Sequence, residues 1–233
     1  MKSTSRYRKL KRALVVLVLL LVVFAVYVEI VNRNSKNMTY RQKILKAVYP
    51  AWMWLSRITG KNNERLSGQP QPPPVSFYTL QATLNDGRIL DFSTLRGKKI
   101  LLVNTASHCG YTDQYGALQQ LYEQYKGLLE IIAFPANDFK QQEKGTDEEI
   151  AGFCRVNYGI SFPLAKKSSV VTGDEQNPVF RWLTDPGLNG WNNRQPSWNF
   201  TKYLVNEQGM LVHYFGPSVS PVGEEIKTAI TKK

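Results

Sequence analysis

Leu101-Leu102-Val103-Asn104-Thr105-Ala106-Ser107-His108-Cys109-Gly110-Tyr111-Thr112 is the stretch that decides how the chain is read. Ile100 to Asn104 is mostly branched and apolar, as a strand buried on both faces requires. Ala-Ser-His-Cys-Gly-Tyr-Thr then breaks the run. From Asp113 to Lys126, Tyr115, Leu118, Leu121, Tyr122 and Tyr125 recur at helical spacing. Cys109 is therefore predicted in a tight loop between a strand end and a helix N-terminus. Free N–H groups and the positive end of the helix dipole favour a thiolate there and lower the thiol pKa. The competing reading is a structural cysteine packed as a small hydrophobe.

Working outward, strand and helix patterns alternate. Ser76–Leu80 and Arg88–Asp91 read as a hairpin around Asn85-Asp86-Gly87. Ile100–Thr105 and Leu129–Phe134 are core strands flanking the helix Asp113–Lys126. Thr146–Asn157 is a helix opened by a capping box of Thr146 and Glu149. Asn177–Thr184 is a short helix. Phe200–Val205 and Leu211–Phe215 form a second hairpin, and Pro221–Thr231 closes as a helix. A βαβ half, then a hairpin, then a terminal helix is the order of a thioredoxin-like α/β fold. Such a fold has a mixed central sheet flanked by helices.

The N-terminal part is different in kind. The net charge is +12, and residues 1–65 carry 14 lysines and arginines against two acids, so the remainder is neutral. Ala13–Val28 is uninterruptedly apolar and Ile30-Val31 extend it past Glu29. The length is near the short end for a spanning helix. The basic cluster Lys2, Arg6, Arg8, Lys9, Lys11 and Arg12 precedes it. The positive-inside rule makes residues 1–12 a cytoplasmic tail and 13–31 a transmembrane helix, with the rest on the non-cytoplasmic side. A signal-peptide core lacks its small-x-small cleavage site here, and a buried soluble helix does not explain the basic flank. The basic excess thus speaks for a membrane rather than a nucleic acid. Residues 32–66 are juxtamembrane. Within them Tyr40–Thr59 reads as one helix or as two broken at Pro50. Trp52 and Trp54 among basic neighbours fit a helix lying in the bilayer interface, and docking on the domain is the alternative. Residues 67–74 are a Pro-rich linker, and the globular domain is expected over 75–233.

Two cysteines, Cys109 and Cys154, are too few for a disulfide scaffold, and there is no CxxC. With only His108 and His213 as histidines, no metal site is expected, and nothing calls for a cofactor.

Three further stretches carry unusual residues. They are Phe134-Pro135-Ala136-Asn137-Asp138-Phe139-Lys140-Gln141-Gln142-Glu143-Lys144-Gly145-Thr146, the run Gly152 to Pro163 with Cys154, and Trp198-Asn199-Phe200. Loops at neighbouring strand ends converge in such a sheet. Together with the Cys109 stretch, and in this order over roughly residues 75–231, they resemble the glutathione peroxidase family. The resemblance implies that Cys109 takes the place of the peroxidatic cysteine or selenocysteine. It implies that Gln142, Trp198 and Asn199 are the polar groups around it, uncharged donors to thiolate and leaving oxygen. The substrate would be hydrogen peroxide or an organic or lipid hydroperoxide, and the reductant glutathione or a thioredoxin-like protein. Ala136, Asp138 and Lys144 depart from the family's commoner Cys, Gln and Pro. The stretch from Thr184 to Ser197 lacks the long insertions linked to tetrameric members, so the resemblance implies a monomer. Members with a thioredoxin-like donor carry a resolving cysteine in the helix region of Cys154. Counting back from Tyr158 sets Cys154 one position off that site. A membrane-tethered redox sensor without fast turnover is the alternative function.

Overall fold

The computed structural model describes residues 2–232, with side chains from Tyr7 onward. Lys2 and Arg6 of the basic tail therefore have side chains outside the described residues. The chain divides into two compact units, one ending at Val48 and one beginning at Tyr49.

In the first unit α1 spans Lys2–Val31, and Tyr7–Val31 is long and apolar enough to cross a membrane. Its side chains from Leu14 to Val23 are exposed, which in water would be unfavourable over such an area. Helix α2, Tyr40–Thr59, runs unbroken through Pro50. Its opening is fixed by Thr39, whose N–H donates to Gln42 Oε1 while Thr39 Oγ1 accepts from the Gln42 N–H. Its first turns hold the end of α1. Tyr27 donates to the Ala47 carbonyl at 3.2 Å, Asn32 to that of Lys43 at 3.0 Å, and Lys43 pairs with Glu29.

The second unit is built on a five-stranded sheet of order β1-β7-β6-β4-β5. Its strands are β1 (Arg65–Ser67), β4 (Lys99–Thr105), β5 (Leu129–Pro135), β6 (Lys202–Val205) and β7 (Leu211–Phe215). Strand β4 lies between β6 and the edge strand β5, parallel to β5 and antiparallel to β6. Helix α3 (Gln114–Gln124) makes the β4–β5 crossover, as parallel strands require. Every residue of β4 and β5 is buried because both faces are covered. Leu101, Val103, Ile131 and Ala133 pack with α3, with α4 (Asp147–Tyr158) and with α7 (Glu224–Thr231). Ile100, Leu102, Ile132 and Phe134 pack on the opposite face with α5 (Pro178–Thr184) and the hairpin of β2 (Gln81–Thr83) and β3 (Ile89–Asp91). A short α6, Pro186–Asn189, follows α5.

Several expectations shift. Ser76–Leu80 is not a strand. Phe77–Thr79 is a 3-10 turn capped by Ser76, whose hydroxyl accepts from the Tyr78 N–H, and Phe77 and Tyr78 are both buried. The first hairpin arm is instead Gln81–Thr83, around a turn in which Gly87 takes φ +85°. The sheet also begins ahead of residue 75, since Arg65–Ser67 pair with Phe215–His213. The Pro-rich stretch after it lies against the domain. The Gly68 N–H donates to the Val212 carbonyl, Gln71 to that of Gly190, and the Val75 N–H to that of Leu188. The second half of α2 docks too: Tyr49 and Met53 pack on the core, and Trp52 meets Tyr111 edge-on. Trp54 and Ile58 stay exposed.

Gly68 shows how tight this docking is. A Cβ there would lie 2.3 Å from the Trp191 ring, whose Nε1 donates to the Leu211 carbonyl at 2.6 Å. Gly68→Ala is expected to cost about 1–3 kcal/mol through overpacking and the displaced hydrogen bond, read as a lower unfolding temperature of the detergent-solubilised chain. An unchanged temperature would mean that this strap contributes no stability.

Candidate active site

Cys109 lies in the turn between the end of β4 and α3, ahead of the first helical residue Gln114. Thr112 organises the turn. Its hydroxyl oxygen accepts from the Cys109 N–H at 3.0 Å and lies 2.8 Å from the carbonyls of Ala106 and Cys109, to either of which it donates. Cys109 is buried, and its Sγ accepts from the Tyr111 N–H at 3.4 Å. The side chains of Trp198 and Asn199 and the Gly110 N–H lie close enough to favour its ionised form.

The electrostatics correct the sequence expectation. Burial pushes the Cys109 thiol up to about 11, and the N–H groups and the Trp198 and Asn199 side chains pull it only part of the way back. The helix offers little help, because its dipole acts within the first turn and α3 starts beyond the Cys109 turn. In this closed arrangement the group is a thiol at neutral pH.

Trp198 and Asn199 are delivered by one residue of β4. Asn104 is fully buried. Its Oδ1 accepts from the Thr201 N–H at 3.1 Å, its Nδ2 donates to the Trp198 carbonyl at 3.1 Å, and its own carbonyl accepts from the Phe200 N–H. Between these anchors Phe200 takes φ +67°, a conformation that bulky residues avoid. Phe139 packs on the Trp198 ring at 5.5 Å between centroids, and Lys140 Nζ stands 5.7 Å from its centre.

Gln142 occupies a different place from the one expected. Its Oε1 accepts from Asn199 Nδ2 at 3.1 Å, so it orients Asn199 rather than donating to sulfur in this state. Its carbonyl accepts from the His108 N–H at 3.1 Å. The loop holding it bends through Lys140 and Gln141, both at φ +52°. Asp138, one of the departures from the family pattern, anchors that loop by accepting from Ser169 Oγ at 2.7 Å and the Val170 N–H at 3.0 Å. Asn199 Oδ1 is buried with no hydrogen-bond partner.

Cys154, in α4, is buried in the same apolar cluster as Cys109, and both are free. Burial pushes its thiol up to about 12, with the negative charge of Glu143 acting in the same direction and the nearby Tyr115 hydroxyl against it. Among the described residues no group of three His, Cys, Asp or Glu is placed to hold a metal ion.

Sequence reading missed Glu143 and Asn104 as site residues, although both stand inside the quoted motifs. The carboxyl of Glu143 is buried, and Oε2 accepts from the Ser107 N–H at 2.8 Å and from Ser107 Oγ at 3.1 Å. Burial pushes it up to about 7, against the Ser107 donors and the Lys167 charge.

A mixed sheet in which a buried inner strand leads into a buried, hydrogen-bonded cysteine before a helix defines a thioredoxin-fold thiol enzyme. The comparisons specify which kind. Residues 77–184 match the family model described as glutathione peroxidase. The glutathione peroxidase homolog BsaA of Staphylococcus epidermidis is 42% identical over 158 residues, covering 67% of this chain and 98% of that protein. The glutathione peroxidase-like peroxiredoxin 2 of Saccharomyces cerevisiae is 40% identical over 163 residues, with the same coverages. The crystal structure of T. cruzi GPX1 superposes with a TM-score of 0.51 at 30% identity, over 66% of this chain and 94% of that one. The chain belongs to the glutathione peroxidase family and is a thiol peroxidase.

The raised Glu143 pKa has a consequence for stability. A carboxyl whose folded pKa lies above the 4.5 reference binds its proton more tightly when folded. Its favourable contribution is full below pH 4.5, is lost as pH rises to about 7, and above that the ionised form costs stability. Glu143→Gln removes this cost. Its stability relative to the native chain is expected to be more favourable at pH 8 than at pH 5, by on the order of 2 kcal/mol, as read from denaturant titrations at both pH values. A pH-independent difference would contradict the assignment.

Proposed function

We propose that the chain is a single-pass, membrane-anchored thiol peroxidase in which Cys109 reduces hydrogen peroxide or an organic or lipid hydroperoxide. The observation that carries this is a buried Cys109 Sγ that accepts from the Tyr111 N–H, with the uncharged Trp198 and Asn199 side chains beside it favouring its ionised form. The sulfur attacks the terminal oxygen of the hydroperoxide and the O–O bond breaks. The thiol proton ends on the departing alkoxide, so that thiol and hydroperoxide become sulfenic acid and alcohol. Trp198 and Asn199 stabilise the negative charge that forms on sulfur and passes to the leaving oxygen. Gln142 holds the Asn199 amide in place, and Asn199 Oδ1 is an acceptor for the hydroperoxide O–H.

Cys154 then resolves the sulfenic acid, releasing water and forming a disulfide, which a thioredoxin-like dithiol or glutathione reduces. Burial of Cys154 on α4 requires the helix to open locally, since a disulfide needs Cα atoms within about 7 Å. Names containing "peroxiredoxin" among the relatives support this route. The chain acts as a monomer. The basic segment before Ala13 sets residues 1–12 in the cytoplasm and the peroxidase domain on the other side. No cofactor takes part. A redox sensor without fast turnover is the second reading.

In the full chain Cys109→Ser is expected to abolish hydroperoxide consumption, and Trp198→Phe to slow it by about tenfold to a hundredfold. Retained turnover in the serine variant would sink the mechanism, and a single stoichiometric oxidation with no donor able to recycle it would establish the sensor. Mass spectrometry after one equivalent of peroxide is expected to show a Cys109–Cys154 disulfide. A persistent Cys109 sulfenic acid would remove Cys154 from the cycle.

A further inference from the structure

A carboxylate seldom lies buried inside a domain without a cation in direct contact, because desolvation is unfavourable. Glu143 is 1% exposed and, among the described residues, is in none of the salt bridges. Its hydrogen bonds run to one residue, Ser107, whose N–H and hydroxyl both reach Oε2. Ser107 stands two positions before Cys109. The Glu143 N–H in turn donates to Asn137 Oδ1 at 2.9 Å, fixing the loop that carries the carboxyl. The preceding residue, Gln142, takes the His108 N–H on its backbone and Asn199 on its side chain.

Two consecutive residues of one loop thus grip two consecutive residues of another. The backbone of Ser107 and His108 is tied to Gln142 and Glu143, and through Gln142 to Asn199. The sulfur and the groups around it come from two separate segments, the Cys109 turn and Trp198-Asn199, and the Gln142-Glu143 loop is the junction between them. Lys167 on the neighbouring loop, Tyr115 on α3 and Cys154 on α4 are the titratable groups that sense the Glu143 charge. None of them replaces its hydrogen bonds to Ser107.

We propose that Glu143 is a positioning residue for the peroxide reaction: its side-chain oxygen holds Ser107, and so keeps Cys109 aligned with Trp198 and Asn199. What the position requires is an acceptor at the right reach. A negative charge is not required. The inference rests on the reading of Cys109 as the attacking sulfur.

Reach and charge can be separated. Glu143→Gln keeps the reach and an acceptor oxygen without the charge, whereas Glu143→Asp keeps the charge and withdraws the oxygen by one methylene. The measurement is the rate constant for Cys109 oxidation by hydrogen peroxide in the full detergent-solubilised chain. It is followed by tryptophan fluorescence in a Cys154→Ser background, with alkylation of Cys109 against pH as a second readout. Glu143→Gln is expected to stay within about threefold of the parent and to keep its alkylation profile. Glu143→Asp is expected to fall by about tenfold to a hundredfold, with the alkylation profile displaced, since small misplacements of reacting groups are costly. A Gln variant as slow as the Asp variant, or an Asp variant at the parent rate, would overturn the proposal. If Glu143→Asp does not fold, the Gln arm decides alone, and a loss above about tenfold there refutes it. Failure of the underlying reading is distinguishable, because the parent itself would then show no fast Cys109 oxidation.

Discussion

The site depends on one buried amide. Asn104 is the place where the sheet's regular ladder is exchanged for a bespoke set of hydrogen bonds. Its neighbours in β4 pair with β5 on one side and β6 on the other. At Asn104 the segment ahead of β6 departs from that pairing, and the side chain supplies the missing groups, one acceptor for Thr201 and one donor for Trp198. An amide of this reach does both from one rotamer. A carboxylate lacks the donor and an aliphatic residue lacks both. Because Asn104 is fully buried, each unmet group would cost about 1–3 kcal/mol, so the arrangement is fixed strongly. It holds Phe200 in a left-handed conformation, and that reversal carries Trp198 and Asn199 to the Cys109 sulfur.

Much of the fold was legible because its signals are local. The β4–α3–β5 unit shows in the change from a continuous apolar run to helical spacing. The capping box of α4 shows in Thr146 and Glu149, and forms as expected, with Gly159 closing the helix in the left-handed conformation. What was not legible depends on partners far along the chain. Arg65–Ser67 is too short and polar to announce a strand, and becomes one only because β7 offers a free edge. Ser76–Leu80 has strand composition, but the Ser76 side chain competes for the backbone and wins a 3-10 turn. The Pro-rich stretch looks like a free linker, and Trp191 makes it a strap.

The candidate site divides in the same way. Cys109, Trp198 and Asn199 were identified by motif, and the fold brings them together. The direction of the Cys109 shift was not legible. A loop before a helix suggests a stabilised thiolate, yet the sequence does not reveal how completely the packed core encloses the sulfur. Desolvation scales with that enclosure, and here it exceeds the sum of the donors. Glu143 was hidden for a related reason. In sequence it is one charged residue among several in a polar loop, and only the packed structure shows that its neighbours Lys144 and Gln141 face solvent while it does not.

The burial that keeps Cys109 protonated is compatible with reactivity, because reactivity concerns the transition state. In a dry site each donor acts with less screening than in water. Tyr111 N–H, Trp198 and Asn199 are set before any charge forms, so no solvent reorganisation is needed when it does. Their weak hold on a neutral thiol becomes a strong hold on a sulfur losing its proton and on an oxygen gaining charge. A fully stabilised resting thiolate would forgo part of that difference, since only interactions stronger in the transition state than in the ground state raise the rate. The high resting pKa and the ring of uncharged donors are therefore two aspects of one design. Both follow from sealing the end of β4 under the Trp198 segment that Asn104 holds down.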